Sequence, residues 1–373
     1  MGHVRDAEVM TVGPDEVVVT FVTEPDVAVT TRVGEHELVT RGPFHVAHVT
    51  GLEPATRYPV EVEGAPPDPE HLPANVTTLE RPGGRLLSTV ITVNDVHFGE
   101  IECGRIGDID PAELGPIVRA APGEPPYPEV MNRAAIAEID ARDPDAVLVK
   151  GDLTNLGTHE EYASFLDAYN TLGPRMRHVR GNHDAMIDPT LAVEGAPYSV
   201  ELPGVTLAVL DTVIPGIERG RISREQLGWL DDLAAASSTP VLVFGHHHVW
   251  NVAASERSEA YFGINPDDSE ALVALARRRE GIAGYFAGHT HRNRVRRFDR
   301  ARDVPFVEIG ATKDYPGSFA EYRIHEGGYS QLVRRISSPA ALSWTERTRY
   351  MFAGLYRDYA LGPLAARCFT TAF

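Results

Sequence analysis

Six short apolar runs set the limits on what this chain can fold into: Leu86 to Val93, Ala146 to Val149, Arg177 to Val179, Leu207 to Leu210, Val241 to Phe244 and Ile282 to Phe286. The last five lack polar alternation, as expected of strands covered on both faces. Between the runs lie amphipathic stretches at helical spacing, Val130 to Ile139, His159 to Asn170, Arg224 to Ala236 and Ser269 to Arg279. Ser223 and Gln226 predict a capping box for the third of these. Strands alternating with helices belong to the α/β class. After Gly288 the pattern shifts to hairpin-like runs (Val295 to Phe298, Val304 to Ile309, Phe319 to Ile324), which predicts two packed sheets flanked by helices.

Polar clusters follow five of the apolar runs. In order they are Asp95-Val96-His97, Gly151-Asp152, Gly181-Asn182-His183-Asp184, Gly245-His246 and Gly288-His289-Thr290-His291. Strand ends of an open α/β fold converge on the carboxyl edge of the sheet, where such folds build their sites. Carboxylate, amide and imidazole donors together suit divalent metals. Alone, each cluster reads as a turn. Five in one order point to a single site. His289 and His291, two residues apart, share one side of an extended segment. The triplet His246-His247-His248 leaves a choice. His246 directly follows the strand and its glycine and is the favoured donor, while His247 and His248 are left to contact substrate or solvent. His36, His45, His48 and His159 are expected at the surface.

At 373 residues the chain has room for two or three domains. Its net charge of −18 (35 basic against 53 acidic residues) repels nucleic-acid polymers and anionic membranes. No apolar run approaches the ~20 residues that span a bilayer. Met1 to Thr11 contain Arg5, Asp6 and Glu8 and lack the apolar core of an export signal. With Cys103 and Cys368 as the only cysteines, no disulfide framework is expected, and a reducing cytoplasm fits.

Residues 1–80 are strand-like throughout, with β-prone runs at Glu16 to Thr23, Val27 to Val33, Phe44 to Val49, Tyr58 to Val62 and Asn75 to Leu79. Arg81-Pro82-Gly83-Gly84-Arg85 marks the boundary to a second unit over 86–335. Residues 99–128, rich in Gly and Pro, are either a lid over the site or a solvated insertion. Residues 336–373 form an expected helical extension. There Ser343 and Glu346 would cap a helix carrying Trp344, Tyr350, Met351, Phe352, Leu355, Tyr356 and Tyr359, a face for core packing or for a homo-oligomer. The basic run Arg292, Arg294, Arg296, Arg297, Arg300 and Arg302 is expected to be acid-paired and solvated, with a phosphate contact as the alternative.

Taken together, the five clusters resemble the ligand set of the calcineurin-like metallophosphoesterase superfamily, over roughly residues 86–335. The resemblance implies a four-layer α/β/β/α sandwich holding two divalent transition-metal ions, Mn, Fe or Zn. It implies Asp95, His97 and His291 on one metal, Asn182, His246 and His289 on the other, and Asp152 bridging them. His183 would protonate the leaving group, with Asp184 holding its ring. Two divalent ions against two carboxylates leave the site positive, so an acidic protein still attracts a phosphate ester; the neutral Asn182 preserves that charge. An imidazole with an ordinary pKa near 6.5 suits proton donation.

Residues 49–62 resemble the E–F corner of a fibronectin type III domain, with Tyr58 as the corner tyrosine. A β-domain ahead of such a catalytic unit is similar to the purple acid phosphatases. That branch has a Tyr three residues after the bridging Asp and a Gly in place of His97, whereas this chain has Asn155 and His97. The motifs are closer to the phosphodiesterase branch. The expected activity is hydrolysis of a small phosphodiester such as a cyclic nucleotide or glycerophosphodiester. The alternatives are a phosphomonoesterase and a non-catalytic scaffold of the same fold.

Overall fold

The computed structural model describes residues 3–105, 115–193, 195–298 and 303–373. The N-terminal part is all-β: β1 (His3–Val12), β2 (Glu16–Val33), β3 (His36–Thr50), β4 (Arg57–Val62) and β5 (Asn75–Thr77) form a five-stranded antiparallel arrangement. The runs expected as separate strands at Glu16 to Thr23 and Val27 to Val33 are one strand of 18 residues. Its pairing with β3 breaks register between Val22 and Val27, and such an irregularity bends a strand without ending it. The Tyr58 hydroxyl accepts a hydrogen bond from the Glu53 N–H at 2.9 Å, the corner bond that the sequence suggests. His45 departs from expectation. It is buried, stacked on Phe21 at 4.3 Å, with both ring nitrogens bonded to Thr23 and Thr40.

Two six-stranded sheets follow. One runs β17-β16-β15-β6-β7-β8 and the other β13-β14-β12-β11-β10-β9. In the first, β6 (Leu86–Val93), β7 (Ala146–Lys150) and β8 (Met176–Val179) are parallel, while β15 (Ser318–His325), β16 (Gly328–Arg335) and β17 (Cys368–Ala372) extend it antiparallel. In the second, β10 (Val205–Val209), β11 (Val241–Phe244), β12 (Ile282–Ala287) and β14 (Pro305–Glu308) are parallel, edged by β9 (Tyr198–Leu202) and β13 (Arg294–Arg297). Strand β11 shows why these runs need no polar residues. Leu242 and Phe244 enter the core between the sheets, and Val241 and Val243 enter the core beneath the helices. Phe286 meets Tyr322 across the sheets at 4.8 Å. Helices α1 (Tyr127–Asp140) and α2 (His159–Tyr169) cover the first sheet, and α3 (Arg224–Ala236) and α4 (Pro266–Arg278) cover the second. The layering is α/β/β/α. Ser223 caps α3 by accepting from the Gln226 N–H, but the Gln226 side chain turns to Asp211, so half of the expected box forms.

The C-terminal segment is less helical than expected. Helix α5 (Pro339–Thr348) is capped by Ser338, which places Ser343 inside it, and α6 (Tyr356–Leu361) and α7 (Leu364–Arg367) are short. The chain then ends as β17 on the edge of the first sheet. Trp344, Met351 and Tyr356 are buried, while Tyr350, Leu355 and Tyr359 face solvent. No helix among the described residues is long and apolar enough to cross a membrane.

Buried ion pairs join the N-terminal unit to this sandwich. Glu8 on β1 accepts from Arg349 at 2.6 Å and Arg335 at 2.8 Å, and Glu16 accepts from the two terminal Nη atoms of Arg334. Burial alone would raise the Glu8 pKa, yet the Arg349 and Arg335 charges override it and hold the carboxyl at about 2. A carboxylate depressed from 4.5 to about 2 contributes stability that is complete above pH ~4.5 and lost as pH falls towards 2, on the order of 3 kcal/mol. Glu8→Ala would leave Arg335 and Arg349 sharing Glu346 as their remaining carboxylate, at a cost of about 3 kcal/mol. Denaturant titrations at pH 7 and pH 3 check both points: the variant should be much less stable than wild type at pH 7 and nearer to it at pH 3.

Candidate metal centre

All five clusters lie just past the carboxyl ends of parallel strands: Asp95 after β6, Asp152 after β7, Asn182 after β8, His246 after β11 and His289 after β12. Because the two sheets pack face to face, those ends meet in one cleft. Four groups of side chains there have donor atoms within 4.8 Å of one another: Asp95/His97/His291, His97/Asp152/His183, Asp95/Asp152/His246 and His246/His247/His289. Asp152 is central. One of its oxygens lies 3.5 Å from His97 Nε2 and 3.3 Å from His246 Nε2. Asn182 Oδ1 is 3.1 Å from the same His246 nitrogen. His291 Nε2 sits 3.6 Å from Asp95.

Local backbone geometry is unusual at these positions. Asp95, His97, Asp152, His289 and His291 all have φ between 44° and 69°, a region that non-glycine residues rarely adopt and that costs about 1–3 kcal/mol each. The motif glycines admit close approach. A Cβ on Gly151 would lie 2.4 Å from the His246 ring, and one on Gly181 would lie 2.2 Å from Asp152.

A metal fits what these residues lack. Both ring nitrogens of His97 and Nε2 of His289 are buried without a hydrogen-bond partner among the described residues, a state that costs about 1–3 kcal/mol per group. Burial, with neighbouring imidazoles, drives His97 and His289 well below their ordinary pKa. Both rings are therefore neutral, the form in which imidazole binds metal. Against burial, the Asp152 carboxylate raises His246 to about 9.

The histidine triplet resolves on geometry. His246 Nδ1 donates to the Lys150 carbonyl at 2.9 Å, which leaves Nε2 facing Asp152 and Asn182. His247 has both nitrogens engaged, with Thr212 at 2.8 Å and the Glu218 carbonyl at 3.1 Å. Of the two alternatives left for His247 and His248, solvation is removed: both are buried, and burial lowers His248 to about 3.

Asp184 does not hold the His183 ring. Its buried carboxylate accepts from Leu153 N–H, Thr154 N–H, the Thr154 hydroxyl and Gly181 N–H at 2.7–3.1 Å. Burial and the nearby Asp152 raise its pKa to about 6. The ring is fixed instead by the Asn155 carbonyl, 2.6 Å from His183 Nδ1. A carbonyl can only accept, so Nδ1 carries the proton and Nε2 is left for the cleft.

Asp314 had no sequence signal. It lies beyond β14, 3.3 Å from His291 Nδ1, and is held by Lys313 at 2.9 Å and the Tyr356 hydroxyl at 2.6 Å. A carboxylate behind a ligating imidazole fixes its tautomer and orientation. The basic run is acid-paired as expected: Arg292, Arg294 and Arg296 converge on the buried Glu308, which also accepts from Thr290. Arg300 and Arg302 lie outside the described residues, as does 106–114 of the suspected lid.

The model of the calcineurin-like phosphoesterase family matches residues 88–293, more than half of the chain. The chain belongs to the calcineurin-like phosphoesterase family. Members of this family use a dinuclear divalent metal centre, and the Asp and His groups above could hold one. Among curated proteins, a probable cyclic nucleotide phosphodiesterase of Synechococcus sp. is 27% identical over 42% of this chain and 62% of its own length. A glycerophosphodiester phosphodiesterase of Enterobacter lignolyticus is 26% identical over 40% of this chain and 56% of its own. The chain thus spans under two thirds of these relatives. A probable cyclic nucleotide phosphodiesterase of Psychrobacter arcticus is 22% identical over 73% of this chain and 97% of its own length. In structure, a dimetal phosphatase from Danio rerio is similar, with a TM-score of 0.52 and 15% identity over 68% of this chain and 97% of that one, which shows the fold alone.

Proposed function

We propose that this phosphoesterase is a two-metal phosphodiesterase acting on a small diester of the cyclic-nucleotide or glycerophosphodiester type. The observation that carries the reading is Asp152, set within 3.5 Å of a histidine from each half of the cleft. Asp95, His97 and His291 would hold one ion and Asn182, His246 and His289 the other, with Asp152 shared between the two sets. Such a pair supplies an electrophilic clamp and an activated water. The protein fixes the donors through strained backbone, the neutral His97 and His289 rings and the Asp314 carboxylate behind His291. His183, tied by Asn155, presents Nε2 to the departing oxygen. Asp184 shapes the turn that carries it. The relatives named as phosphodiesterases and His97 in the first motif favour a diester over a monoester. Two unpaired, buried cysteines fit a cytoplasmic location, and the Tyr58 corner bond supports a fibronectin-like reading of the N-terminal unit.

Metal removal tests this. Protein stripped with a chelator should lose at least ~99% of its hydrolysis of bis(p-nitrophenyl) phosphate and regain it with manganese, iron or zinc. Hydrolysis that survives stripping, or is confined to the monoester, overturns the reading.

A further inference from the structure

We propose that Phe262 is a stacking platform for a nucleobase, so that of the two diester types above the cyclic nucleotide is the one this cleft selects. This rests on the phosphodiesterase reading and narrows its substrate to one that carries a planar aromatic base. The Phe262 ring stacks on the imidazole of His289, a proposed metal ligand, with ring centroids 4.1 Å apart and an interplanar angle of 28°. It is nevertheless 47% exposed. With one face against His289, the exposed part is the opposite face and the rim.

This exposure does not come from a loose loop, because the residues on both sides are pinned. The Tyr261 hydroxyl donates to the Val249 carbonyl at 3.1 Å, and its ring meets those of His248 and Trp250 edge-on at 5.0 and 4.7 Å. The Gly263 carbonyl accepts from the Gly220 N–H, and the Ile264 N–H donates to the His248 carbonyl, each at 2.9 Å. Gly263 permits that approach, since a Cβ there would lie 2.6 Å from the His248 carbonyl oxygen. Gly263 and Ile264 are buried, and Phe262 beside them is turned outward.

A single exposed apolar residue is ordinary. One stacked on a ligating imidazole lies where substrate must arrive, a single side chain away from the place of the scissile phosphate. In a cyclic nucleotide one ribose joins that phosphate to the base, and every base offers a flat π face for an aromatic ring. The glycerol part of a glycerophosphodiester has no such face.

Adenosine 3′,5′-cyclic phosphate and methyl riboside 3′,5′-cyclic phosphate test the proposal, since the same bond breaks in both and only the base differs. The base should raise kcat/KM by about five- to a hundredfold in wild type, the scale of one base–aromatic stack. Most of that difference should appear in KM, because stacking does not change during the reaction. The ratio should fall to near one in Phe262→Ala and persist in Phe262→Trp. As a binding readout, adenosine 5′-phosphate should quench the added fluorescence of Phe262→Trp and ribose 5-phosphate should not. Equal kcat/KM for the two esters in wild type, equal losses on both in Phe262→Ala, or equal quenching by both phosphates overturns the proposal. Metal-dependent hydrolysis of bis(p-nitrophenyl) phosphate alone also overturns it and leaves the phosphodiesterase reading standing. Absence of metal-dependent hydrolysis of every one of these diesters defeats that reading itself.

Discussion

Replacing Asp152 with alanine should empty the cleft of at least one metal ion and reduce phosphodiester hydrolysis by far more than the ~10–100-fold typical of residues that only support a ligand. The expectation follows from where its oxygens lie. One faces His97 and His246, from opposite halves of the site, at 3.5 and 3.3 Å. The other accepts the His183 N–H at 3.0 Å. The variant therefore loses the carboxylate between the two halves and loosens the turn that carries His183. Two cations then face each other with one negative charge fewer between them. The change should leave the fold intact, because a smaller side chain opens space in a cleft and does not overpack a core. Metal analysis, activity and a thermal melt on the same preparation decide the matter. Wild-type metal content with wild-type turnover would remove Asp152 from the centre.

The residues proposed for the site were legible because they follow features with strong local signals. Each follows an apolar run at the end of a parallel strand, and glycine precedes four of the five clusters. The structure shows what those glycines admit, since a side chain on Gly151 or Gly181 would collide with His246 or Asp152. Residues that act from behind carry no such mark. Asp314 reaches His291 from a segment beyond β14, where neither periodicity nor motif singles out one acid. Asn155 acts through its carbonyl, which every residue possesses, so its identity says nothing about the bond to His183. Adjacency misled at Asp184. Neighbours on a tight turn point apart, and its carboxylate went to the backbone donors of 153, 154 and 181.

At the level of the fold, strands buried on both faces were clear, whereas strands whose partners are distant were not. β16 and β17 include charged and small polar residues, and only pairing across the sheet makes them strands. The helical spacing from Ser343 onward continues past the end of α5, but the chain breaks at Ala353, with φ of 55°. Burial of Trp344, Met351 and Tyr356 fixes that segment more than its periodicity does. Besides the nearby Glu321 and Glu346, Arg334, Arg335 and Arg349 pair with Glu16 and Glu8, more than 300 positions away in sequence on β2 and β1, beyond any local pattern.

His183→Ala should separate proton donation from metal binding. The ring has Nδ1 fixed by Asn155, and its remaining nitrogen lies in a group with His97 and Asp152. If that nitrogen serves as the acid, both ions stay bound in the variant. The rate on a diester with a basic alkoxide leaving group should fall by about 10²–10⁴. With a nitrophenolate, which leaves without protonation, the loss should be small. Plots of rate against leaving-group pKa would then be steeper for the variant than for wild type. Asp184→Asn supplies the contrast. Its carboxylate accepts four hydrogen bonds from the surrounding turn, so an amide there should lower thermal stability, while the steepness of the plot stays close to wild type because Asn155 still holds the ring. Loss of one metal ion in His183→Ala would instead make His183 a ligand. Equal slopes with full metal occupancy would leave it orienting the substrate, with the proton coming from water.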